Sequence, residues 1–453
     1  MTAAQILSAV IFLVMFIAII IGKVHRFVPA LVGGALTILL VFLITERSPG
    51  MAYNVLNLSQ LGQYKFWIPG HDPLESHGIN WQTIIFILGM MTMVEGLGAT
   101  GFFRWLCLWV AKLVNYRAVS ILVAFTLLSG VLSMFIDSIT VMLFLATVTI
   151  ELARLLKFDP VPVIVAEIFA SNTGGAATMS GDPPNIIIGT ANGYTFMDFL
   201  KNTGPIAWAG MIVVLILFYF MFRKSLGQPA SNSNSQAVRD RYPAPRDAIV
   251  NPALFKINAG IFLLAILLIV THAQTGLSIG LVGVIAGVLA LAGAGKGAWH
   301  IIRRIDWRTL LFFVGLFVTV GGLEETGALK ELANAIGNVS GGSLLIVVTI
   351  ILWLSGFASA IVDNIPFAAT MIPVIRGLSD SGLSLPTLSW ALSLGTDVGG
   401  NGTPIGASAN VVGTAIAERE GYPIGWGRYC KYAVVPTLLV LGLFWVLLLV
   451  RYV

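Results

Sequence analysis

Two short segments set a carboxylate in the middle of otherwise apolar sequence: Phe135-Ile136-Asp137-Ser138-Ile139-Thr140 and Ile361-Val362-Asp363-Asn364-Ile365-Pro366. Asp followed by Ser or Asn at the start of an apolar run caps the helix that follows, and Pro366 suits the first turn of that helix. Helix N-termini carry unpaired N–H groups and partial positive charge, while carboxylates, amides and hydroxyls supply oxygen and nitrogen ligands. Asp137, Ser138, Thr140, Asp363 and Asn364 are therefore candidate ligands for an ion or a small polar solute. Carboxylates at membrane depth are costly and mark ion or proton pathways.

A second pair of segments breaks apolar runs with Gly, Pro and polar residues, Ser171 to Asn185 and Gly395 to Asn410. Gly and Pro in series unwind a helix. The freed carbonyls, together with Asn172, Thr173, Thr178, Asp182, Asn185, Asp397, Asn401, Thr403, Ser408 and Asn410, can replace the hydration shell of an ion or bind a polar solute. Seven acidic residues fall in or beside apolar runs: Glu95, Asp137, Glu151, Glu167, Asp182, Asp363 and Asp397. No Lys or Arg accompanies them in sequence. Protonation or a bound cation makes such an imbalance tolerable, so proton or sodium coupling follows, with Asp137, Asp363, Glu167 and Asp182 as proton-coupling candidates. Sodium could sit at Asp137 and Asp363; no other metal and no cofactor is expected. All five His are expected in loops, which leaves no histidine relay.

The elements that must hold these residues are membrane helices. The chain has 453 residues, 57% hydrophobic and 10% charged, against roughly 45–50% and about 25% in ordinary soluble domains. That excludes a water-soluble fold and disorder. Cys107 and Cys430 are too few for a disulfide framework and stand in no metal-binding pattern. Spans of about 20 apolar residues are read at Ile6–Ile21, Val28–Ile44, Thr83–Leu97, Ile206–Phe222, Ile257–Thr271, Leu277–Ala292, Thr309–Leu323 and Val434–Val450. The interrupted regions add two discontinuous spans and two re-entrant hairpins centred on Asp137 and Asp363. Their irregular backbone must be buried in protein or line a cavity. Phe102–Val114, with Arg104 and Lys112 among aromatics, reads as an interfacial amphipathic helix. The first apolar segment lacks a basic leader and a small-residue cleavage site, so it reads as a retained span.

An internal repeat organises these elements. At an offset of 226, Trp81 to Gly101 matches Trp307 to Gly327 with nine identities in 21 positions, and Asp137 falls on Asp363. At 225, Gly174-Gly175, Thr178, Gly181 and Asn185 fall on Gly399-Gly400, Thr403, Gly406 and Asn410. The expected class is an all-α polytopic membrane protein of two inverted repeats, residues 1–222 and 257–453, joined by a flexible cytoplasmic linker at 223–256. Five crossings per half invert the second half. With both termini outside, 20 of 26 Lys and Arg lie on the cytoplasmic side, as the positive-inside rule requires. Paired interrupted segments in inverted repeats are the pattern of secondary transporters.

At these same motifs, with Ser180-Gly181-Asp182-Pro183-Pro184-Asn185 and Gly399 to Asn410, the chain resembles the ion transporter superfamily. The similar branch holds arsenite permeases, D-type sodium/proton antiporters and the pink-eyed dilution protein. The resemblance covers essentially the whole chain except the linker. It implies hairpin tips and unwound helices that bind cargo, an elevator-type scaffold, and relatives that are dimers. Dicarboxylate members of the superfamily carry Ser-Asn-Thr at both tips, where this chain has Asp137-Ser138-Ile139 and Asp363-Asn364-Ile365. Two Asp would repel a carboxylate. The expected function is proton-coupled efflux of arsenite, antimonite or a similar small oxyanion, then sodium/proton antiport, then transport of a carboxylate or other anion. Two isolated cysteines cannot form a three-thiol arsenic site. An aspartyl intramembrane protease would carry Gly-x-Gly-Asp, whereas this chain has Met179-Ser180-Gly181-Asp182, so no enzyme is expected. The chain has no phosphate-binding loop of its own, and a separate cytoplasmic ATPase subunit is compatible with it. The expected surroundings are the lipid bilayer of the cell inner membrane, with protons and a small inorganic solute as partners and no nucleic acid.

Overall fold

A computed structural model describes residues 1–70, 78–226 and 244–453. Among the described residues every regular element is a helix. In the first half these are α1 (Ala3–Ile21), α2 (Phe27–Leu36, continued as a π-helix over Thr37–Thr45), α3 (Pro49–Leu56), α4 (Tyr64–Trp67), α5 (Trp81–Ala99), α6 (Phe102–Leu113), α7 (Ala118–Leu132), α8 (Ser138–Leu156), α9 (Val161–Gly175), α10 (Pro183–Asn192) and α11 (Phe196–Leu226). The second half comprises α12 (Pro252–Thr275), α13 (Ile279–Ala294), α14 (Ala298–Arg304), α15 (Trp307–Glu325), α16 (Ala328–Ser340), α17 (Leu344–Ile361), α18 (Asn364–Asp380), α19 (Leu385–Gly399), α20 (Ser408–Arg419) and α21 (Trp426–Tyr452).

Ten helical stretches are long and apolar enough to cross a membrane. Eight coincide with the uninterrupted spans read from sequence; the other two are α8 and α17, each one arm of a hairpin. The discontinuous segments are not continuous spans but pairs of short helices, α9 with α10 and α19 with α20. Every residue of α9 and α19 except Leu385 and Pro386 is buried. Irregular backbone here is surrounded by protein, as an apolar solvent demands. By contrast α1 and α12 expose apolar flanks, including Leu13, Ile17, Leu263 and Leu267.

The helices sort into a frame and an inner group. In the frame, α2 runs along α15 and α13 along α5. Small residues let these backbones meet: a Cβ at Gly89 would lie 1.9 Å from the Gly283 carbonyl oxygen, and one at its repeat mate Gly315 would lie 2.4 Å from the Ala30 carbonyl carbon. The inner group consists of the hairpins α7–α8 and α17–α18, the broken pairs, and α11 with α21. The segment expected as an amphipathic helix is α6, which packs between α5 of the frame and α7 and α8 of the inner group. Its counterpart α16 went unread in the sequence, because its polar outer face lowers the mean apolarity of the segment.

Three expectations need correction. The linker is helical at both ends, since α11 continues to Leu226 through residues 223–226, which hold no Gly or Pro, and α12 begins at Pro252, which suits a first turn capped by Asn251; Gln228–Ala237 lies outside the described residues. His272 and His300 sit in helices, and His272 is buried, its Nε2 accepting from the Phe196 N–H at 3.3 Å. Finally, a basic residue does join the acidic set, as described below.

Candidate functional site

Asp137 and Asp363 stand at the turns of the two hairpins and cap the helices that follow. The Thr140 N–H and hydroxyl donate to Asp137 at 3.0 and 2.7 Å, and the Ile365 N–H donates to Asp363 at 3.3 Å. The residues after them, Ser138 and Asn364, meet at one acceptor. The Ser138 hydroxyl donates to Asp182 Oδ1 at 2.8 Å and the Asn364 amide to Asp182 Oδ2 at 2.6 Å. Asp182 occupies the N-cap position of α10 but makes no capping bond there. Its carboxyl is turned from its own helix to clamp both hairpin tips, and it is 2% exposed.

Behind this clamp the broken helices cross in matched pairs. Asn185 donates to the carbonyls of Gly175 and Thr178, and Asn410 to those of Gly400 and Thr403, positions 225 apart. Asn185 also donates to Asp397 Oδ2 at 2.7 Å, while Asn172, the positional mate of Asp397, donates to Asn410 Oδ1 and Asn401 Oδ1, each at 2.9 Å. Asn401 in turn reaches the Thr173 hydroxyl at 3.5 Å. The two crossings differ in chemistry: the first half supplies an amide where the second supplies the carboxyl of Asp397. That carboxyl and Asp182 are both buried and share one hydrogen-bonded network, since Asn185, which donates to Asp397, stands three residues after Asp182 in the first turn of α10. Asp397 Oδ1 and Asn172 Oδ1 are buried and have no donor.

Thr178 and Thr403 serve another purpose, donating to the carbonyls of Met134 and Ala360 and so fixing the unwound strands to the hairpin turns. Gly174 and Gly399 support the same junctions. A Cβ at either would lie 2.4 or 2.3 Å from the carbonyl oxygen of Gly130 or Gly356. Glu167 is buried apart from the tips; Thr149 donates to its Oε1 and its Oε2 has no partner. Glu95 and Glu151 form partly exposed ion pairs with Arg304 at 3.2 Å and Arg104 at 2.6 Å. Among the described residues no three His, Cys, Asp or Glu side chains are grouped to hold a metal ion.

Two residues of this site were missed in the sequence. Ser393 donates to Asn185 Oδ1 at 2.6 Å; it stands one turn before Asp397 on α19, and that spacing could have flagged it. Arg26, counted only as a cytoplasmic charge, leaves the α1–α2 turn and pairs with Asp363 while donating to Ser408 Oγ at 2.8 Å. Nothing local to Arg26 signals a contact 337 positions away. Beside Asp137 is a cavity of about 20 Å³, lined also by Ser180, Pro183, Thr309 and Phe313. A larger one, about 270 Å³, lies off the site between Gln82, Tyr194, His272 and Ser278.

Known proteins are similar to this chain in sequence and in fold. An uncharacterised transporter of Mycobacterium tuberculosis is 36% identical over 387 residues, covering 84% of this chain and 89% of its own. The 46 kDa membrane protein of Mycobacterium leprae is 32% identical over 99% of both chains. The P protein of Homo sapiens is 30% identical over 80% of this chain, which spans about half (53%) of that relative. In fold, the chain superimposes on the crystal structure of the Alcanivorax borkumensis YdaH transporter with a TM-score of 0.54 and 16% identity, over 99% of this chain and 98% of the other. Ten apolar helices together with these relatives make this a multi-pass membrane protein. Residues 16–395 match the family described as citrate transporter, CitMHS, and the chain belongs to that family of membrane transporters.

Proposed function

We propose that this transporter is a proton-coupled secondary carrier in which Asp182 and Asp397 share the coupled proton. The carrying observation is that these two buried carboxyls belong to one network of amides and a hydroxyl, bridged through Asn185, with one oxygen of Asp397 left without a donor. Two carboxyls buried close together disfavour double ionisation, so one proton held between them is the low-energy arrangement. Asp182 also accepts from both hairpin tips. Gain or loss of that proton changes how firmly the tips are clamped, which ties proton binding to the opening of the cargo site. We read residues 1–222 and 257–453 as inverted repeats, with re-entrant hairpins that meet near the bilayer midplane.

For cargo, the site favours something small and either cationic or uncharged. Four carboxyl groups, Asp137, Asp182, Asp363 and Asp397, stand against one guanidinium, and the cavity beside Asp137 holds about one water-sized particle. The first reading is efflux of arsenite or antimonite, which as neutral trihydroxides donate hydrogen bonds to carboxylates and amides without repulsion. The second is sodium/proton antiport, in which the Asp137 carboxylate with the Ser180 and Thr309 hydroxyls would supply the oxygens in a cavity otherwise walled by apolar side chains. A carboxylate reading rests on the description of the family, and Arg26 is the cation such cargo would meet.

The test is transport by purified protein in proteoliposomes with an imposed proton gradient, offering arsenite, sodium or citrate in turn. Dissipation of the gradient by arsenite or sodium is expected; dissipation by none of the three overturns coupling. Asp397→Asn gives the second half the amide already present in the first. It should abolish proton coupling while equilibrium exchange of cargo continues, and full coupling in that variant would remove Asp397 from the proton path.

A further inference from the structure

Arg26 bridges the frame and the inner group at the second hairpin tip. It belongs to the frame, in the turn between α1 and α2, yet its Nη1 bonds Asp363 and Ser408 of the inner group. Its Nη2 donates to Thr309 Oγ1 at the start of α15 at 3.0 Å, and its guanidinium lies over the Phe312 ring at 5.0 Å. Thr309 is itself held by Asp306, to which its hydroxyl donates at 2.6 Å. A carboxylate, two hydroxyls and an aromatic face hold this planar cation, whose side chain stays 25% exposed.

The repeat shows that this contact belongs to one position of the inner group. Thr83 and Thr309 are repeat mates at the starts of α5 and α15. Thr309 lies level with the hairpin tips, since it lines the cavity that contains Asp137 and touches Arg26. Thr83 instead meets Thr190, its hydroxyl 2.8 Å away, seven residues past the start of α10. Seven helical residues span about 10 Å. In an inverted arrangement a symmetric placement sets both Thr at equal depth, so this difference corresponds to a displacement of the inner group toward the α15 end of the frame by about half that span, about 5 Å.

We propose that Arg26 is a tethered counter-ion that pins the second hairpin tip to the frame in this displaced position, and that the Arg26–Asp363 pair has to break in every transport cycle. Arg26 is a positioning residue: it acts on cargo through Asp363, whose charge it neutralises. The inference rests on the reading of the protein as an alternating-access carrier, but its test needs neither cargo nor protons.

In a background with Cys107→Ser and Cys430→Ser, the pair Thr83→Cys and Thr190→Cys reports this position by disulfide cross-linking, far from Arg26. Adding Arg26→Gln should shift the balance of positions away from the cross-linkable one by about tenfold, the scale of a lost charge-assisted network. Asp363→Asn should do the same. Arg26→Lys should retain part of the cross-linking, and the exchange Arg26→Asp with Asp363→Arg should restore it above either single change. Elution as a monodisperse species checks that each variant is folded. Unchanged cross-linking in both Arg26→Gln and Asp363→Asn overturns the proposal, as does an exchange variant no better than its parts. If cross-linking responds while no cargo discharges a proton gradient, the latch stands and the coupling assignment fails.

Discussion

Asp182 is the residue on which the two halves converge. Its two carboxyl oxygens accept from Ser138 and Asn364, positional mates at the two hairpin tips. Replacing it with Asn leaves one acceptor and sets an amide against a donor. Asp182→Asn should lower the transport rate by roughly 10- to 100-fold, the loss corresponding to about 1.5–3 kcal/mol for a hydrogen bond to a charged group; wild-type flux in reconstituted vesicles would reduce the clamp to a packing contact. Ser138→Ala combined with Asn364→Ala should resemble it, because both changes strip the same acceptor. The Asp, Asn and Thr residues of the four motifs were legible in sequence because polar atoms stand out in apolar segments. Their division of labour was not: Thr178 and Thr403 bond backbone, whereas Asn185 and Asn172 cross between the halves.

Elements here are placed by what they lack. The broken pairs can cross the hairpins closely because glycines face each other at Gly174–Gly130 and Gly399–Gly356. Gly399→Ala drives a Cβ to 2.3 Å from the Gly356 carbonyl oxygen, where backbone has to move. We expect a destabilisation of about 1–3 kcal/mol, as for other overpacked sites, seen as a lower midpoint in thermal unfolding of the detergent-solubilised protein. Gly442→Ala in α21, with open space around it, should leave the midpoint unchanged or raise it. An equal effect at both positions would count against close packing as the cause. The helices themselves were readable from apolar length, and the hairpins from their central Asp. The helices not read were the short α3, α4 and α14 and also α16, whose single apolar stripe is too narrow to register as a span.

At the scale of the whole molecule, the matched contacts of the two halves and the distribution of charge make one expectation of sidedness. Lys296→Cys, in the turn after α13, should label with an impermeant thiol reagent only from the cytoplasmic face, and Gly342→Cys, before α17, only from the outside. Both positions are exposed. Labelling of both from one face would overturn the inverted arrangement. The two crossings differ in kind at several mated positions, amide at Asn172 against carboxyl at Asp397, Ala176 against Asn401 and Ile168 against Ser393.

Apolar length, the two central Asp residues and the 225–226 repeat follow from the chain alone, since each reflects local composition or periodicity that survives without folding. The site was present in sequence as four separate motifs. Tertiary structure decided which of their atoms meet, because hydrogen bonds such as Asn364 to Asp182 and Asn185 to Asp397 join residues 182 and 212 positions apart. It also turned Arg26 from a topology charge into a partner of Asp363, since a guanidinium in a turn finds its counter-ion only when the packing of α2 against α15 carries it there.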